Sequence, residues 1–221
     1  MSIAITKTFK VAGKELVVQA VNVQGQAAPR IPQEFGRIFG EIAPLLKKKR
    51  QAVHMRDEPG AAISKTAPGG YAYSETFLSI SPYRWPADGK RLTEALAHEI
   101  HHLARYHHGY WHTTLGGHLA MDGTACLFAE GMTGIRVPWI RRRLSSESVA
   151  RAKKEWSNQR YDAYDWFTDP QGSMGRWAGY RLGYELAKRY FKDGFDLRES
   201  VLMKPDALRP ILDDLARRQS T

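Results

Sequence analysis

The chain has a single cysteine, Cys126, which excludes an internal disulfide framework and a metal site built from several thiolates. No stretch approaches the ~20 apolar residues of a membrane span. The first residues, MSIAITKTFK, do not set a charged segment ahead of a long apolar one. With residue 1 as the natural start, these absences lead us to expect an unexported, cytoplasmic protein. Internal repeats and low-complexity tracts are also missing. Acidic residues are outnumbered, 23 against 33 Lys and Arg, for a formal charge of +10. Such a surplus invites nucleic acid as a partner through phosphate contacts and counterion release. Here the cations are scattered over KKKR at 47–50, RRR at 141–143, RAKK at 151–154, Arg217 and Arg218. No aromatic-interleaved patch accompanies them, so a solvated basic surface is the simpler reading and nucleic acid is not favoured. An acidic substrate or anionic surface stays open.

At 221 residues and 43% apolar composition the chain can bury a real core, and we expect one domain. Residues 3–23 carry Ile, Thr, Phe and Val in runs split by Ala12-Gly13-Lys14, a hairpin pattern. Phe35, Ile38, Phe39 and Ile42 then recur at helical spacing, and Pro44 should kink or split that helix. QAVHMRD reads as a short strand, EPGAAISKTAPGG as a punctuated connection and Phe77 to Ser81 as a strand. Pro82 and Pro86 end that strand, and Asp88 can cap a helix from about Gly89 to His107, stopped by Gly109. Leu92, Leu96 and Leu103 form its buried stripe. A second helix is expected over about Leu119 to Gly131, and from Glu147 onward the chain reads as helical. Pro170 with Gly172 is among its breaks.

His98, Glu99 and His102 spell HExxH. On a helix the two histidines stand four residues apart on one face and can close on a single Zn²⁺. Glu99 beside them can take a proton from a water that the cation acidifies and pass it to a leaving amine. A catalytic zinc normally has three protein ligands, so a third is needed. His108 has the spacing of the metzincin pattern HExxHxxGxxH, but Arg105 stands where that pattern has Gly. His118 in GGHLAMD resembles the later histidine of SprT-like DNA-associated proteases. Asp122 is close in sequence but suits a helix cap or a partner to a histidine N–H. Glu130 in FAEG lies at the end of the helix that follows HExxH.

His98-Glu99-Ile100-His101-His102 followed by Glu130-Gly131, with RWAGYRLGYELAKRYF later, resembles a gluzincin-like family of predicted zinc-dependent proteases. That family has an HEYHH-type helix, a downstream EG helix and a GYxxGY region. The resemblance covers roughly residues 71–215; Ile100 replaces an aromatic and Gly131-Met132-Thr133 replaces Gly-Leu-Ala. It implies an α+β zincin-like metallopeptidase with an N-terminal antiparallel or mixed sheet, an active-site helix and a C-terminal helical lobe. We expect one catalytic domain over 1–221, with a sheet-containing lobe to residue 118 and a helical lobe over 119–221. It also implies Zn²⁺ held by His98, His102 and Glu130, Glu99 as general base and acid, and a peptide or protein substrate.

An oxyanion donor is sought in GYRLGY, where Tyr180 and Tyr184 stand four residues apart; Tyr180 is preferred. In the plainer alternative both tyrosines pack, with Gly179 and Gly183 allowing close helix contact. In zincins the strand before the HExxH helix is commonly a sheet edge that pairs with substrate, so residues 77–81 are assigned that role. Seven histidines lie between 98 and 118, more than one zinc can use. His101 is expected to face away from the metal, and His107, His108 and His112 to line a rim. Arg176 and Arg181 are candidates for a substrate carboxylate, and Cys126 for a buried small hydrophobe. Trp111, Trp166 and Trp177 are expected in the core or a cleft wall. The alternatives to a peptidase are a basic, nucleic-acid-associated SprT-like zinc protease and a non-catalytic zinc-binding protein. No oligomeric state is set by the sequence.

Overall fold

The computed structural model describes residues 3–22, 30–56, 68–82, 89–141, 143–168, 175 and 177–219. Asp88, Pro86, Pro170, Gly172, Arg176 and most of the connection after QAVHMRD lie outside them. The chain divides into two compact units: residues up to His108 together with Gly131–Ile135, and Gly109–Glu130 together with residues from Arg136 onward.

The first unit is built on a five-stranded mixed sheet, ordered β1-β2-β3-β5-β4 among the described residues. Strands β1 (Ile3–Val11) and β2 (Lys14–Asn22) form the expected hairpin. Its two-residue turn holds Ala12 at φ 49° and Gly13 at φ 72°, the left-handed pair that matches strand twist. Strand β3 (Arg50–Arg56) runs parallel to β2, and β5 (Phe77–Ser81) parallel to β3. Strand β4 (Gly69–Ala72) closes the order, antiparallel to β5. Alternation buries one face, with Leu16, Val18 and Ala20 of β2, Val53 and Met55 of β3, and Leu78 and Ile80 of β5.

Helix α1 (Glu34–Ile42) buries Phe35, Ile38, Phe39 and Ile42. Pro44 ends it in the 3₁₀ turn Ala43–Leu45, because a proline there cannot donate to the preceding turn. Helix α2 (Gly89–His107) packs on β4, β5 and α1 and buries Leu92, Leu96 and Leu103. Gly109 follows it at φ 75°.

The assignment of residues 77–81 to a substrate-pairing edge is corrected by this topology. Strand β5 is paired on both sides, with β3 through Ala52↔Phe77 to Met55↔Ile80 and with β4 through Gly70↔Ile80. Among the described residues the edge is β4, whose four residues, GGYA, are too short and glycine-rich to read as a strand.

The second unit is helical. Helix α3 (Leu115–Thr133) contributes residues up to Glu130 to it. The others are α4 (Ser146–Glu155), α5 (Ala163–Phe167), α6 (Ala178–Tyr190), α7 (Leu197–Leu202) and α8 (Arg209–Gln219). Helix α3 begins four residues before the expected Leu119, because Thr114 Oγ1 accepts from the Gly117 N–H and closes the first turn over two glycines. Ser145 and Asp162 cap α4 and α5 in the same way. The core gathers Leu115, Leu119, Trp156, Trp166, Leu182 and Leu212. Trp156 and Trp166 find acceptors for their indole N–H groups on Asp206 and Glu155.

Helices α3 and α6 touch backbone to backbone at Gly123 and Gly183. A Cβ on Gly123 would lie 2.1 Å from the Gly183 carbonyl oxygen, and one on Gly183 would lie 2.3 Å from that of Leu119. Backbone cannot give way as a side chain can. Gly123→Ala or Gly183→Ala is therefore expected to cost about 3 kcal/mol, the upper end of the usual overpacking penalty. The urea midpoint checks this, and an unchanged midpoint would contradict the contact.

No helix among the described residues is long and apolar enough to cross a membrane.

Candidate metal centre

Helix α2 carries the cluster. His98 and His102 lie one helical turn apart, with ring centroids 4.7 Å apart and planes at 90°. One ligand atom from each of His98, Glu99 and His102 lies within 4.8 Å of the others. Two donors on a tetrahedral zinc stand about 3.4 Å apart at zinc–nitrogen bonds of about 2.0–2.1 Å, so small side-chain rotations bring the imidazoles onto one ion. Two imidazoles and an adjoining carboxylate also have the chemistry zinc prefers. The residues fit the ion.

His98 is half-buried, while Glu99 and His102 are 6% and 5% exposed. Glu94, one turn before His98, is buried; burial raises its pKa, opposed by the charges of His98 and Arg91. Glu99 packs against β4: a Cβ built on Gly70 would fall 2.4 Å from Glu99 Cγ.

His101 is fully buried and outside the cluster; burial first, and then the charge of Arg105, holds it well below its ordinary pKa. His107, expected at a rim, is buried instead, and His108 is half-buried. His107 is 3% exposed, and His108 Nε2 donates to the Leu45 carbonyl at 3.0 Å. His118, weighed as a ligand, has partners at both ring nitrogens. Nδ1 is 2.7 Å from the Tyr161 hydroxyl and Nε2 is 2.9 Å from buried Asp122. Its ring also stacks on His112 and Phe167, at 4.0 and 3.6 Å between centroids. Asp122 is thus a partner to a histidine, as its position suggested.

His107 gives a pH prediction. Burial lowers its pKa against the opposing pull of Glu75, 3.9 Å away. The unfolded chain therefore takes up the proton first as pH falls through about 6.5, so this contribution to stability is full above that value and lost below it. Urea midpoints measured from pH 8 to 5 should decline on the acid side, and His107→Leu should flatten the decline. An identical slope in that variant would contradict the assignment.

Glu130 and Tyr180 belong to the second unit. Glu130 Oε1 accepts from Arg136 Nη2 at 2.7 Å and Nε at 3.0 Å, and Oε2 accepts from the Tyr184 hydroxyl. Burial pushes the carboxyl pKa up, but these donors outweigh it and hold the group below its ordinary value, as a carboxylate. Tyr184 is raised by burial and by that same bond. Its hydroxyl is engaged with Glu130. Tyr180 is half-buried on the helical core with its ring edge-on to Phe167 at 5.3 Å. Arg136 is the residue that the sequence did not flag, since it lies beyond the helix end with no motif around it. Cys126 is 4% exposed, as expected of a small buried hydrophobe, and Trp166 is in the core.

The fold is that of the zincin-like metallopeptidases. An aminopeptidase N family protein from Idiomarina loihiensis matches it with a TM-score of 0.51 at 11% identity, over 96% of this chain and 42% of that one. An M1 zinc metallopeptidase from Deinococcus radiodurans matches with a TM-score of 0.43 at 11% identity, over 98% of this chain and 45% of that one. The chain thus spans less than half the length of either protein. No curated protein matches it in sequence. The model of the family described as predicted Zn-dependent protease (DUF2268) matches residues 53–209, and the chain belongs to that family.

Proposed function

We propose that the chain is a zinc-dependent peptidase of the gluzincin type, acting on peptide or protein substrates as a single catalytic domain. The observation that carries this reading is the convergence of His98, Glu99 and His102 on helix α2. His98 and His102 would hold the zinc. Glu130 as the third protein ligand rests on the sequence resemblance alone. Zinc held there would supply Lewis acidity toward a water and the scissile carbonyl. Glu99 would serve as general base toward that water and as general acid toward the leaving amine. It packs against β4, the last strand in the order among the described residues, and an extended peptide that paired its backbone with that strand would pass near the carboxylate. Tyr180 is proposed as the oxyanion donor, and Tyr184 as the residue that orients Glu130.

A mixed peptide library incubated with the zinc-loaded protein should be cleaved. Cleavage should stop with a chelator and return on adding zinc. Cleavage indifferent to the chelator would refute the reading.

A further inference from the structure

Glycine 70 is in the interior of β4, paired with Ile80, and its backbone is not in the left-handed region. Conformation therefore does not call for glycine here, and within a strand glycine gives up a packing side chain. Space does call for it. The three heavy atoms nearest to a Cβ at this position all belong to Glu99: Cγ at 2.4 Å, Oε1 at 2.7 Å and Cδ at 2.8 Å. Contacts this short cannot be held, so either the strand or the Glu99 side chain must move. The side chain is the softer of the two. A methyl group at residue 70 would thus displace the Glu99 side chain before it moved the strand.

We propose that Gly70 is a positioning residue for the Glu99 carboxylate: the missing side chain on the edge strand is the space in which the general base is held. This rests on the reading of Glu99 given above. The neighbouring strand then determines where the proton is taken, beyond what the HExxH helix alone provides.

Gly70→Ala is compared with the unaltered protein, alone and combined with Glu99→Ala. In the zinc-loaded enzyme we expect full zinc content, KM within about twofold and kcat lower by about 10²-fold, the loss that a misplacement near 1 Å produces. In the metal-free protein we expect Gly70→Ala to lower the melting midpoint by about 2–4 °C while Glu99 is present. No drop is expected once Glu99 is replaced by Ala, because the colliding atoms are gone. An unchanged kcat, an equal midpoint shift in both backgrounds, or a kcat loss that merely follows lost zinc would overturn the proposal. Should Gly70→Ala fail to fold, the double variant must fold, and failure of both overturns it as well. The two readings can fail separately. An active Glu99→Gln removes the base assignment while leaving the midpoint coupling in place. An inactive Glu99→Gln without coupling removes the positioning role alone.

Discussion

Glu99→Gln is expected to keep about one zinc per chain and to lose peptide hydrolysis by about 10²–10⁴-fold in kcat, the usual contribution of a positioned general base. The substitution replaces one carboxylate oxygen with an amide nitrogen of nearly the same size. The buried packing against Gly70 is therefore kept and only the proton acceptor is lost. KM should change little, since the group acts in the transition state more than in substrate binding. Steady-state kinetics together with metal analysis check this. Full activity in a zinc-replete Glu99→Gln protein would remove the peptidase mechanism.

His102→Ala is expected to remove zinc altogether. In the proposed site two imidazoles four residues apart on α2 are ligands, and a single one would leave the ion with too few donors. Activity should fall to background. The thermal midpoint of the unaltered protein should rise on adding zinc, by about 5–10 °C at 100-fold excess over its dissociation constant. That rise should vanish in the variant. His118→Ala is the control: both ring nitrogens already have partners in Tyr161 and Asp122, so zinc should be retained. Loss of zinc in His118→Ala with retention in His102→Ala would reverse the ligand assignment.

Much of the first unit was legible because its signals are local. The hairpin shows in β-branched runs around Ala12-Gly13, and α2 has a clear apolar stripe with a glycine stop. HExxH needs only helical periodicity to become a cluster, and α2 provides it. Strand β4 was missed because GGYA has almost no strand propensity; its pairing with β5 and its packing on α2 make it a strand. The same blindness put the sheet edge one strand too far along. The start of α3 was misplaced because Gly116-Gly117 reads as loop, whereas a Cβ on Gly116 would meet the Trp156 ring at 2.4 Å. Those glycines are there for packing.

In the second unit the sequence pointed to the GYRLGY region but not to how its tyrosines divide their work. Tyr184 reaches Glu130 while Tyr180 lies against Phe167. Arg136 completes the surroundings of Glu130 through a six-residue separation that follows no periodicity. Contacts of this kind are made by the chain leaving a helix end, and no spacing rule anticipates them.

Diffraction from zinc-loaded crystals on both sides of the zinc absorption edge tests the central claim most directly. The expected result is one anomalous peak per chain in contact with ring nitrogens of His98 and His102, with the Glu130 carboxylate as the third protein ligand. A peak on other residues, or none from zinc-loaded crystals, would contradict it.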